Sequence, residues 1–142
     1  MTVQTMRGLL QTRLLTVGTG WDAQTAFEGK SFTPTAGTPY QELTTVFVEP
    51  DAITLADSDH QIGTFQVRLL YPLTKTDGTG TAQAGIGAPT TRAQAIADAF
   101  PRNLVLTSGA TKVKIMRSAH ITRGPPQGDR DVTILRIRFS DR

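Results

Sequence analysis

Between residues 63 and 71 apolar and polar side chains alternate: Phe65, Val67, Leu69 and Tyr71 occupy one set of positions, Thr64, Gln66 and Arg68 the other. Successive side chains of a β-strand point to opposite faces, so a period of two predicts a strand with one buried and one wetted face. The same period returns at residues 131–139, where Leu135, Ile137 and Phe139 alternate with Arg136 and Arg138. It recurs in short form at residues 111–116, with Val113 and Ile115 set against Lys112 and Lys114. Residues 40–48 (YQELTTVFV) are rich in β-branched and aromatic side chains and stop before Pro50, which predicts a fourth strand. Half-buried strands must pack their apolar face against something, and the chain has two helical stretches to offer.

The first places Val3, Met6, Leu9, Leu10, Leu14 and Val17 on one helical stripe, with Arg7 and Arg13 off it and Gly18 and Gly20 as the stop. The second begins near Pro89, which suits a first helical turn, and carries Ala93, Ile96, Ala97 and Phe100 up to Pro101. Residues 25–27 read as a short extended piece. Residues 31–39 and 51–61 read as loops, and residues 124–131 (GPPQGDRD) as a turn or protruding loop. Residues 72–88, with Gly78, Gly80, Gly85 and Gly87 among threonines and alanines, predict a long loop that is disordered in the free subunit. The expected fold class is α+β: a mixed or antiparallel sheet with two main helices on one face, in a single domain spanning residues 1–142.

Charge is unevenly spread. From Arg102 onward nine basic side chains face three acidic ones, a net +6, whereas the first 101 residues hold six basic and nine acidic, a net −3. A lopsided subunit can meet copies of itself head to tail or present different faces to different partners. The absence of cysteine excludes disulfides, thiolate metal sites and cysteine nucleophiles. No apolar run approaches the ~20 residues of a membrane span, and no signal peptide opens the chain, so a soluble cytosolic protein without membrane contact is expected.

The chain carries few residues in patterns that support chemistry. Gly29-Lys30-Ser31 resembles the end of a phosphate-binding loop, but position 24 is Gln24, and Phe32-Thr33-Pro34 follow where a helix should start. Gly78-Thr79-Gly80 and Gly85-Ile86-Gly87 lack the strand, helix and acidic partner of a dinucleotide site. Asp57, Asp59 and His60 are too few oxygen donors for a hard cation and read as a hydrophilic loop. His60 and His120 are the only histidines, and neither neighbours a serine in a nucleophile elbow. The expectation is a non-enzyme with no catalytic residue, no cofactor and no metal. One patterned polar set remains: Arg68, Lys112, Lys114, Arg136 and Arg138, each opposite the apolar side of its own strand. If those strands share a sheet, its outer face carries a basic stripe that could touch DNA phosphates or an acidic protein surface. No aromatic residue interleaves with it, which argues against base stacking.

The order of segments resembles that of the tail terminator-like proteins of long-tailed phages and prophages. The residues that carry the resemblance are Phe27-Glu28-Gly29-Lys30-Ser31-Phe32-Thr33-Pro34, then Gly37-Thr38-Pro39-Tyr40 and its strand. Gly63-Thr64-Phe65-Gln66-Val67 leading to Tyr71-Pro72 follows, and finally Ala93 through Phe100-Pro101-Arg102 after a glycine-rich loop. It spans about residues 1–139, and the chain departs from it by a longer loop at 72–88 and an arginine-dense last strand. The resemblance implies a structural virion protein assembled in the host cytoplasm, several copies of which, typically six, close into a homo-oligomeric ring. That ring caps the tube of major tail tube protein, stops its growth and offers a head-tail joining surface to a head-completion or neck protein, while DNA passes through the lumen without sequence-specific binding. The alternative drawn from the residues alone is a DNA-contacting neck or connector module that uses the basic sheet face.

Overall fold

The computed structural model describes residues 3–35, 37–48, 62–72, 87–128 and 130–141. Helices α1 (Val3–Leu15) and α2 (Gly87–Ala99) accompany seven strands: β1 (Thr25–Ala26), β2 (Tyr40–Val48), β3 (Ile62–Pro72), β4 (Val105–Ser108), β5 (Thr111–Ile115), β6 (His120–Gln127) and β7 (Arg130–Ser140). The two longest strands, β3 and β7, pair antiparallel along their whole length, from Ile62↔Ser140 to Pro72↔Arg130. On the far side of β3 lies β2, antiparallel, and β1 adds to β2 in parallel, which makes the sheet mixed.

The other edge of β7 is shared. Its first half pairs with β6, while its last residues pair with β5 through Lys114↔Ser140 and Ile115↔Phe139, and β4 closes that side of the sheet. Two strands leaving one edge must diverge, and the sheet curls. The alternation read from the sequence sets which way each strand faces. Phe65, Val67 and Leu69 of β3, Leu135, Ile137 and Phe139 of β7, and Val113 and Ile115 of β5 are all fully buried in one cluster. Met6, Leu10 and Leu14 of α1, Ala93 and Ile96 of α2, and Phe100 just beyond it complete that cluster, so both helices cover the same face. Each large apolar side chain sealed there contributes roughly 1.5–3 kcal/mol of transfer free energy. The expected α+β arrangement is what the chain adopts.

Four features depart from expectation or were not foreseen. Residues 124–131 are not a protruding loop: β6 runs to Gln127, Gly128 turns at φ 63°, and β7 begins at Arg130. Because β6 pairs only with β7, Pro125 and Pro126 sit in an edge strand, where a missing N–H costs little, and a register irregularity between Gly124 and Gln127 absorbs them. Strand β4, also at an edge, likewise lacks alternation. Arg7 and Arg13, expected on a solvent face, are both engaged: Arg7 Nε lies 3.5 Å from Glu28 Oε1, and Arg13 Nε donates to Ala99 O at 2.9 Å, capping the last turn of α2. The outer sheet face is not uniformly wet either. Tyr40, Leu70 and Val132 form a second small core there with Phe32 and Ile134 packed against it. Arg130 holds the covering loop down by donating to Thr38 O (2.6 Å) and Thr35 O (2.9 Å) while stacking 4.9 Å over Tyr40.

A further buried arginine fixes the other end. Arg92 of α2 donates to Val17 O and, at 3.1 Å, to Gln41 Oε1, and its guanidinium lies 4.2 Å over the Trp21 ring. Gln41 Nε2 donates in turn to Thr25 Oγ1 at 3.0 Å. Burial pulls the Arg92 pKa down from its ordinary value. The expected loop at 51–61, with Asp57, Asp59 and His60, lies outside the described residues, as does nearly all of the loop at 72–88.

Candidate interaction surface

Strands β3, β5 and β7 do share one sheet, so the five basic residues singled out by alternation stand on its outer face. Their circumstances differ. Arg68 is used by the fold: Nη1 sits 2.6 Å from Glu42 Oε2, its cross-strand neighbour on β2, and Nη2 donates to Gln127 Oε1 at 2.6 Å. Its charge is matched. Lys112 and Lys114 lie on β5, opposite Thr107 and Val105 of β4, away from Arg68.

Arg136 and Arg138 occupy the middle of the face. Arg136 is flanked in register by Gln66 of β3 on one side and His120 of β6 on the other, and Arg138 stands opposite Thr64. Both are exposed, as are Arg117 and His120. Together with Thr64 and Ser118 these four line a groove of about 360 Å³. Arg117 and Ser118 reach it from the short segment that carries the chain from β5 to β6, which crosses the end of the face because both strands share the edge of β7. Among the described residues none of Arg117, Arg136 and Arg138 has a carboxylate partner, whereas Arg7, Arg68 and Arg123 each have one. Sequence reading found Arg136 and Arg138 but missed Arg117 and His120, which lie in a connector and an edge strand without period; only the β7 pairing brings them in.

A second surface lies on the opposite, helical side. Leu9, Gly8 and Thr12 of α1 and Leu106 and Thr107 of β4 line a groove of about 420 Å³. On the other face of the same strand Val105, opposite Lys114, is 45% exposed, and among the described residues β4 is the terminal strand of the sheet. The register fixes which of its backbone groups are free. Ile115 N donates to Leu104 O at 2.8 Å, so the alternating antiparallel ladder turns the N–H groups of Val105 and Thr107 toward the open edge.

Among the described residues no group of three acidic, histidine or cysteine side chains is placed to hold a metal, and no helix is long and apolar enough to cross a membrane. The family described as "Phage tail terminator protein" matches residues 5–139 of the chain. Comparison with curated proteins finds no match. One solved structure aligns with all of this chain and 96% of its own, with a TM-score of 0.72 at 22% identity, a likeness of fold.

Proposed function

The chain belongs to the phage tail terminator family, whose members are structural proteins of the tail, and from that premise we propose that it caps the tail tube as a closed ring of identical subunits, stopping tube growth and presenting a surface for head-tail joining. The observation that carries this reading is the family match across residues 5–139, nearly the whole chain. The shape of the subunit supports the ring. Among the described residues its sheet ends in an edge strand, β4, whose Val105 and Thr107 N–H groups point away from β5 and whose Leu106 and Thr107 line the α1 groove. An open edge of this kind is a template for another chain. The net +6 of the last 41 residues against the −3 of the first 101 favours heterologous contacts, in which unlike surfaces meet and a rotation closes the ring.

The subunit's partners on this reading are copies of itself, the tail tube protein and a neck protein, and its place is the head-proximal end of the virion tail. The test is reconstitution. Purified tube protein is polymerised with and without the subunit and imaged by electron microscopy. Tubes shortened in proportion to added subunit and ending in a ring are the expected outcome; tubes of unchanged length with bare ends refute the capping role.

A further inference from the structure

We propose that the outer-face groove between β6, β7 and the β5–β6 connector is a binding site for the backbone phosphates of duplex DNA, with Arg117, Arg136 and Arg138 as the anion-binding residues and His120, Thr64 and Ser118 as supporting donors. The proposal goes beyond the ring reading and requires only the groove of a single subunit, so the two stand or fall separately.

The fold itself uses six of its arginines. Arg13, Arg92 and Arg130 donate to backbone carbonyls, and Arg7, Arg68 and Arg123 meet carboxylates. Each of these six holds two parts of the chain together. Arg117, Arg136 and Arg138 hold nothing among the described residues, yet they converge on one groove whose lining contains no acidic residue. Three like charges in one place repel each other, a cost that an internal scaffold has no reason to bear and an anion removes. Sheet geometry makes the convergence rigid. Arg136 and Arg138 are two apart on a central strand, so their side chains leave the same face about 6.8 Å apart.

The lining identifies the anion. Guanidinium groups pair with phosphate through two parallel N–H···O bonds, and the hydroxyls of Thr64 and Ser118 are donors that commonly complete a phosphate contact. Every lining residue is polar, and no Phe, Tyr or Trp stands among them to stack an unpaired base. No Asn or Gln in the lining offers the bidentate contact that reads adenine. Three guanidiniums and two hydroxyls are donors that suit phosphate oxygens, and contacts of that kind position a duplex without reading its sequence.

Fluorescence anisotropy of a labelled random-sequence duplex, titrated with the subunit across a salt series, tests this. Each phosphate contact contributes about 0.9 to the slope of log affinity against log salt. The Arg136→Gln, Arg138→Gln double variant should therefore flatten the slope by about two and weaken binding at ~50 mM salt by roughly tenfold or more. Arg117→Gln should remove a further ~0.9, and Arg102→Gln, outside the lining, should change nothing. All these side chains are exposed, so melting curves should coincide and show that the variants fold. Wild type that ignores duplex DNA at ~50 mM salt, or groove variants with the wild-type slope, overturns the proposal. So does inorganic phosphate or poly-glutamate that displaces the duplex at equal charge concentration, since the groove would then be a site for small anions or for carboxylates.

Discussion

Single side chains in this subunit are decided by contacts that cross the sheet, and Gly63 is the sharpest case. It begins the alternation of β3 on the buried side, where an added Cβ would come 2.6 Å from Val46 O and 2.7 Å from Phe139 Cζ. The Phe139 ring is fully buried and packs edge-on against Phe47 at 5.6 Å. Gly63→Ala should cost about 1–3 kcal/mol of stability, the range for overpacked cores, read as a lower denaturant midpoint. From the sequence, Gly63 looked like an ordinary strand start; the ring that demands it is 76 residues away. The two tyrosines lend themselves to a pH experiment. Burial raises the pKa of both Tyr40 and Tyr71 above 10.0; Glu42 adds to the rise at Tyr40, and the nearby arginines offset part of it. A folded-state pKa above the unfolded value means that the native state favours the neutral phenol. That stability is fully present below pH ~10 and is lost as pH rises through the folded pKa values. Tyrosinate absorbance of the folded chain should therefore rise at higher pH than that of the urea-unfolded chain, and coincident titrations would contradict the prediction.

Elements were legible in proportion to how one-sided their burial is. Strands β3, β5 and β7 and both helices turn one face to the main core, so their periods could be read directly, while β2 was legible through its β-branched and aromatic composition. Strands β4 and β6 could not, since as edge strands most of their residues are exposed and β6 contains Pro125 and Pro126. The candidate groove inherits this split. Arg136 and Arg138 were visible through the alternation of β7, Arg117 and His120 were hidden in the aperiodic segment before and within β6, and the pairing of Arg68 with Glu42 depended on a β2–β3 register that no local pattern encodes. The loop over the second small core is likewise held by a long-range contact, Arg130 to Thr35 O and Thr38 O. A hydrogen bond to a charged donor contributes roughly 1.5–3 kcal/mol. Arg130→Ala should release residues 31–39 for proteolysis and fast hydrogen exchange while the main core keeps its protection. Uniform loss of protection across β3 and β7 would mean that the loop and the sheet are one cooperative unit instead.

For the whole molecule the decisive question is whether the edge that the monomer leaves open is the edge through which copies join. The ladder between β4 and β5 turns the Thr107 N–H outward, away from its own sheet, and Thr107 itself is exposed. Proline at this position removes that donor and places a ring across the edge, yet breaks no hydrogen bond inside the subunit, and its fixed φ is tolerated in an edge strand. Thr107→Pro should therefore melt within a few degrees of wild type, bind duplex DNA with the wild-type salt slope and fail to close rings on tube ends. The combination matters because the DNA groove and the groove beside the β4 edge share no lining residue, so damage to one should leave the other intact. Arg136→Gln with Arg138→Gln should show the converse, capping tubes normally while losing DNA affinity. If Thr107→Pro caps tubes as well as wild type, subunits join elsewhere, and the next edge to block is the half of β2 beyond Glu42, which pairs with no strand on that side among the described residues and where Val46 is 54% exposed.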